Sequence, residues 1–156
     1  MGVRAIPEGY SSVTPYLIVD GAAKALDYYK MAFDAQELMR MPGTDGKIAH
    51  AEIQIGNAKV MLADESPQMG HRSPTTLGGS GTGLMLYVND VDDTFQRAVA
   101  GGAEVRQPVK DQFYGDRTGT IIDPFGHQWT IATHVEDVSP EEMQRRMQEM
   151  MKAMGA

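Results

Sequence analysis

No cysteine occurs among the 156 residues, which excludes disulfides, thiolate metal sites and a cysteine nucleophile and agrees with a reducing compartment. Clustered basic charge is missing as well. The 14 Lys and Arg residues stand against 21 Asp and Glu, a net charge of −7, and no stretch gathers the cations into a patch. Such a balance repels phosphate backbones and anionic membranes, so neither nucleic acid nor a membrane is expected as a partner. Met1 to Tyr10 carries only Arg4 as a basic residue and no apolar run of signal-peptide length. Nowhere does an apolar stretch approach the ~20 residues of a membrane span, and a cytoplasmic protein is expected. No serine lies on a nucleophile-elbow pattern, which removes a Ser-His-Asp reading.

What the chain does contain is a repeat. With 42% hydrophobic and 22% charged residues it can bury one sizeable core, and its length is that of a single domain. An offset of 69 residues overlays Val19 on Val88, and the same offset brings Leu17 to Leu86, Leu26 to Phe95, Ile53 to Ile122, Val60 to Trp129 and Leu62 to Ile131. Both halves then read strand, helix, strand, strand, strand, and the cleft between two such halves is a natural place for a ligand.

Extended formers from Val13 to Val19 predict the first strand, with Asp20 capping a helix whose apolar positions Ala22, Ala25, Leu26, Tyr29 and Phe33 keep helical spacing. A short strand over 36–41 and a longer one over 47–55 follow. The longer strand alternates, with Ala49, Ala51, Ile53 and Ile55 on one side and His50, Glu52 and Gln54 on the other. Gly56-Asn57 turns it into a hairpin with residues 59–63. Residues 65–82, rich in Pro, Gly, Ser and Thr, read as a flexible connection. The tract Gly78-Gly79-Ser80-Gly81-Thr82-Gly83 is not a phosphate loop, since no Gly-Lys-Ser/Thr follows and a strand comes next.

The second half opens with a strand over 84–88 and a helix capped at Asn89 or Asp90, with Val91, Phe95, Ala98 and Val99 as its buried stripe. Two later strands flank the turn Asp123-Pro124-Phe125-Gly126, and His127 is expected to stabilise that turn. Ser139-Pro140-Glu141-Glu142 predicts the start of a terminal helix over 139–154. Its stripe of Met143, Met147, Met150, Met151 and Met154 suits docking on its own domain or on a partner subunit, or an adaptable surface for other proteins.

Two such units, a Val-Asp-Gly entry into the first helix and an Asp-Pro-Phe-Gly-His turn late in the second half resemble the vicinal oxygen chelate superfamily, which holds glyoxalase I, bleomycin-resistance proteins and extradiol dioxygenases. Thr14-Pro15-Tyr16-Leu17, Val60-Met61-Leu62-Ala63-Asp64-Glu65 and the run from Tyr114 to His127 are similar to its PhnB-like branch. The resemblance implies an α+β fold of two βαβββ modules forming an open cup, with a C-terminal helix added. One domain then spans 12–134, with the first module over 12–65, a linker over 66–82 and the second module over 83–134. Homodimers that complete the cup across subunits are also implied.

Metal enzymes of this superfamily hold their ion at four inward positions, which fall here on Thr14, Met61, Gly83 and Thr130. Hydroxyl, thioether and glycine are a poor donor set for such an ion, so no metal and no cofactor are expected. The leading expectation is metal-independent binding or sequestration of a small organic molecule. Its lining would include Tyr16, His50, Glu52, Met61, Met85, Tyr87, Tyr114, Arg117, Gln128 and Thr130. The alternative is a lyase, isomerase or shifted-site metal enzyme in which His50 and Glu52, on one strand face, are the catalytic pair. An ordinary polar strand face would place the same two residues there. Arg117 could meet a ligand anion or pair with Asp116 and Asp111. His134 closes the last strand without an evident partner.

Overall fold

The structure is a computed structural model and describes residues 2–155. In chain order the elements are β1 (Tyr16–Val19), α1 (Ala22–Phe33), β2 (Gln36–Pro42), β3 (Ile48–Ile55), β4 (Ala58–Asp64), α2 (Pro74–Leu77), β5 (Gly83–Tyr87), α3 (Val91–Ala100), β6 (Glu104–Asp111), β7 (Asp116–Ile122), β8 (Gln128–His134) and α4 (Pro140–Gly155). They build two four-stranded mixed sheets of the same topology, β1-β4-β3-β2 and β5-β8-β7-β6, each crossed by one long helix. The fold is α+β, as the family resemblance implies. In each sheet the first strand runs parallel to the last, and the remaining pairs are antiparallel.

The modules meet through their helices. Tyr28 Oη donates to the carbonyl of Ala98 at 2.8 Å, and a Cβ on Gly101 would strike the side chains of Tyr28 and Met31, so glycine is what lets α3 end this close to α1. Beneath lies a shared aromatic core in which Tyr29 and Phe33 of α1 touch Trp129 of β8, and Tyr29 also reaches Phe125. Each such fully buried side chain contributes about 1.5–3 kcal/mol. At the centre is the carboxylate of Asp123, only 3% exposed. Its Oδ2 accepts from Tyr29 Oη at 2.6 Å and Trp129 Nε1 at 2.8 Å, while Oδ1 accepts from the backbone N–H groups of Phe125 and His127.

Several local expectations are corrected. β1 begins at Tyr16 rather than Val13. Asp20 does not cap α1. The N-cap is Gly21, with a left-handed φ of 104°, and the cap arrives from β4, where Asp64 Oδ1 accepts from the N–H groups of Gly21 and Ala22 at 2.8 Å each. In α3 the cap is Asp90, which accepts from the N–H of Asp93. A register shift opposite Met41 and Pro42 puts Ile48 into the core and leaves Ala49 exposed.

The connection is not a featureless linker. Ser66 and His71 form a β-bridge, Ser73 is fully buried and caps α2, and Pro74 packs under Gly126. His127 does more than steady its turn, since its Nε2 lies 2.9 Å from the carbonyl oxygen of Ile18 and ties the second module to β1 of the first. α4 is tied to its own domain without burying its methionine stripe there. None of its described residues is buried, and Met154 is 81% exposed. Ser139 caps it as expected, and Arg146 moors it to Glu136 and to the carbonyl of Phe113.

The most consequential correction concerns the repeat itself. Val60 pairs with Ile53 in the first module, and Trp129 pairs with Ile121 in the second. The counterpart of Ile53 is therefore Ile121, at an offset of 68, and not Ile122. The Asp123 turn shortens the offset across β7 by one residue, and in a strand one residue changes the face. Ile121 is accordingly fully buried while Ile122 is only partly covered.

Candidate functional site

In each sheet one face is covered by a helix and the other is free, and alternation decides which residues reach the free face. In β3 the buried set Ala51, Ile53 and Ile55 faces α1, which sends His50, Glu52 and Gln54 to the free side. Register places Tyr16 opposite Met61 and Met61 opposite Glu52. Tyr16, His50, Glu52 and Met61 therefore share one surface. They also form a hydrogen-bonded chain, with Tyr16 Oη 2.8 Å from His50 Nδ1 and His50 Nε2 2.8 Å from Glu52 Oε2. Both imidazole nitrogens are thus occupied. Burial raises the Tyr16 phenol above its ordinary value, so it rests neutral near pH 7.

The second module presents a different set. Met85 lies opposite Thr130, Thr130 opposite Thr120, and Tyr87 beside Ala132 and Thr118. With the offset of 68, Thr118 and Thr120 occupy the places of His50 and Glu52. Hydroxyls replace the imidazole and the carboxylate, and the Thr120 and Thr130 hydroxyls satisfy each other at 3.0 Å. Gln112 Nε2 donates to Thr118 Oγ1. Gln128 is exposed at the end of β8, opposite Gly83 and Ile122. Tyr87 Oη donates to Asp116 Oδ2 at 2.7 Å, and that bond holds its phenol above the ordinary range.

Arg117 is placed on the opposite face from both sets, and Tyr114 lies at the border of the second, near enough to Tyr87 to act on its phenol. Arg117 shares parity with Ile121 and so faces α3, where Asp92 and Asp111 take its guanidinium. Asp116, named as its partner from sequence, has the opposite parity and serves Tyr87 and His134. Tyr114 packs edge-on against Phe113 at the β6–β7 turn. Thr118 and Thr120 were missed in the sequence reading, and only the one-residue change of offset could have revealed them; Asp116 was read as a partner of Arg117 and not of Tyr87 and His134.

Metal fit can be judged from the donors. Thr14 lies ahead of β1, Met61 is a thioether, Gly83 has no side chain and the Thr130 hydroxyl is bonded to Thr120. Among the described residues no three His, Asp or Glu side chains converge on one point. The residues present do not fit an ion of the metal-enzyme type.

His134 stands between two carboxylates, Nδ1 2.7 Å from Asp116 and Nε2 2.7 Å from Asp137. These two bonds, the Asp116 one foremost, raise the imidazole above its ordinary value. Burial pushes Asp116 upward, but hydrogen bonds from His134 and Tyr87 outweigh it and the net shift is downward. The raised histidine stabilises fully below its unfolded value of about 6.5 and loses that contribution as pH climbs through its higher folded value. The lowered aspartate stabilises above its unfolded value of about 3.9 and loses its share as pH falls through its folded one. Raising the pH from about 6 to about 9 should therefore lower the melting temperature more steeply in the parent protein than in His134→Gln. Parallel slopes would remove the pair from the account.

Two clefts border the sheet edges. One of about 640 Å³ runs along the unpaired inner edge of β1, between Pro15–Ile18, the α2 segment and the start of β5. The other, about 790 Å³, runs along residues 86–90 at the end of β5 and reaches Phe33, Ile55 and Gly56. β1 and β5 are edge strands, and they do not pair with each other. No described helix is long and apolar enough to cross a membrane.

Comparison with known proteins agrees with this architecture. The uncharacterized protein Rv0887c of Mycobacterium tuberculosis (strain ATCC 25618 / H37Rv) is 48% identical over 139 residues, covering 87% of this chain and 82% of that protein. A Mycobacterium bovis relative, the uncharacterized protein Mb0911c, matches at the same identity over 91% of its own length. Among solved structures, TioX from Micromonospora sp. ML1 superposes with a TM-score of 0.62 at 26% identity, over 83% of this chain and all of its own. A PhnB protein from Bacillus cereus gives 0.63 at 16% identity, over 79% of this chain and 99% of its own. The fosfomycin resistance protein FosX of Listeria monocytogenes, solved with Mn(II) and 1S,2S-dihydroxypropylphosphonic acid, gives 0.62 at 17%, over 88% and 97%. The last two share the fold alone. A family profile matches residues 11–131, and with the two duplicated modules this places the chain in the Glyoxalase/Bleomycin resistance protein/Dioxygenase superfamily.

Proposed function

We propose that the protein binds a small organic molecule, without a metal, in a cup that two copies of the chain complete. The observation that carries this reading is the pair of unpaired edges. An edge strand offers a row of free N–H and C=O groups to another chain, and here both inner edges, β1 and β5, are open and lie beside clefts. A first module of one copy set against a second module of another would join the edges and bring Tyr16, His50, Glu52 and Met61 opposite the partner's free face. That lining of aromatics, methionines and a few polar groups suits a neutral or mildly polar ligand. The uncovered methionine face of α4 fits the same reading as a clasp on the second copy.

FosX was solved with manganese, but the donor set described above gives no ground for carrying that property over. The reading extends to a cytoplasmic protein with no nucleic-acid or membrane partner. Elemental analysis of the purified protein should find no stoichiometric divalent metal, and chelator should leave the melting temperature unmoved. Sedimentation should give twice the 17.0 kDa chain mass. One equivalent of zinc, nickel, manganese or iron per chain would end the metal-free reading, and a monomer at working concentration would end the shared cup.

A further inference from the structure

One proton arrangement of the chain from Glu52 through His50 to Tyr16 prepares the phenol for attack. A carboxylate accepts, and in the neutral tautomer of His50 that gives its Nε2–H to Glu52, Nδ1 is an acceptor. The Tyr16 hydroxyl donates to that nitrogen, which leaves its oxygen lone pairs free on an open surface where Tyr16 is 44% exposed. A weak nucleophile within hydrogen-bond reach of a base, with the base oriented by a third group, is the arrangement that activates a hydroxyl for attack. The second module supplies a contrast. Tyr87 donates its hydrogen bond to the carboxylate of Asp116, whose other oxygen is engaged by His134, so the group facing this phenol is a carboxylate and not an imidazole.

From this contrast we infer that Tyr16 is an acyl acceptor. The Tyr16 oxygen attacks the carbonyl carbon of an activated ester, forming the aryl ester bond as the bond to the leaving alkoxide or phenolate breaks. The phenolic proton passes to His50 Nδ1, and the imidazolium is held by Glu52 until it releases that proton to solvent. Attack and proton transfer occur together, because the phenol rests neutral. The acyl group is an apolar one. Met61 lies opposite both Tyr16 and Glu52, Met41 opposite His50 and Met39 opposite Glu52, so three thioethers share the sheet face of this chain. Directly opposed residues of an antiparallel pair share a face, and methionine adapts to apolar chains of varied shape. All of these groups belong to one module, so the reactivity stands or falls independently of dimerisation and of metal content.

The test uses the full chain and p-nitrophenyl butyrate. The expected result is one equivalent of p-nitrophenolate per chain, with peptide mass spectrometry placing the butyryl group on Tyr16. Tyr16→Phe should abolish the release, whereas Tyr10→Phe, at a ring that only carries the Lys59 ammonium, should leave it unchanged. His50→Gln should slow it on the order of a hundredfold, the scale of a lost general base, with the same final stoichiometry. A butyryl group found only on lysines, or full release by Tyr16→Phe, would overturn the proposal. An unchanged rate in a folded His50→Gln variant would overturn the role of the base.

Discussion

Asp123→Ala should lower the free energy of unfolding by about 4 kcal/mol, near the upper end of single-residue effects. The carboxylate is buried and accepts four hydrogen bonds, two on each oxygen. Removing it strands the Tyr29 hydroxyl and the Trp129 indole N–H in an apolar core and frees two backbone N–H groups of the β7–β8 turn. Each buried donor without a partner costs about 1–3 kcal/mol, and bonds to a charged acceptor lie at the high end. Asp123→Asn should cost less, about 2 kcal/mol, because one oxygen survives while the amide NH₂ faces donors on one side. Trp129 is the single tryptophan, so its fluorescence during guanidinium unfolding reports the relevant site. A loss under about 1 kcal/mol in Asp123→Ala would mean that water or rearrangement satisfies these donors.

The second large effect is expected at Asp64. Its carboxylate accepts from the N–H groups of Gly21 and Ala22 through Oδ1 and of Ile48 through Oδ2, at 2.7–2.8 Å. It therefore supplies the negative charge that the start of α1 attracts and also fixes the entry into β3. The glycine at the N-cap has no side chain of its own to substitute. Asp64→Ala should cost about 3 kcal/mol, combining a lost cap with a lost charge-assisted bond. Asp20→Ala, at the position where the sequence suggests the cap, should change stability by no more than about 0.5 kcal/mol. Equal losses in the two variants, measured by urea midpoints, would refute the assignment.

The two aspartates show where sequence reasoning reached and where it stopped. Element order, helix stripes, the Ser139 cap and the duplicated architecture depend on periodicity and on neighbours within a turn, and these are written locally. The cap of α1 is supplied from the end of β4, 42 residues on from Ala22, so no local pattern contains it. The rephased β7 was hidden by two adjacent isoleucines, Ile121 and Ile122, either of which satisfies an apolar template. The wrong phase left Thr118 and Thr120 unread, while the pairing of Arg117 with Asp111 was legible from their nearness in sequence. His50 and Glu52 were legible as a pair because alternation alone puts them on one face. Their link to Tyr16 depends on strand order, since β4 lies between β1 and β3, and spacing along the chain does not reveal that order.

The reach of Asp123 also bears on how the chain is made. Tyr29 leaves the ribosome 94 residues before the carboxylate that will receive its hydroxyl, and Ile18 precedes His127 by 109 residues. At usual elongation speeds of about 5–20 residues per second, the first helix waits roughly 5–20 s for its partner. During that interval Tyr29 and Phe33 have neither Trp129 nor Phe125 to pack against. The first half of the chain thus emerges as an unfinished surface, and its protection during synthesis falls to whatever holds nascent apolar segments until the second half arrives.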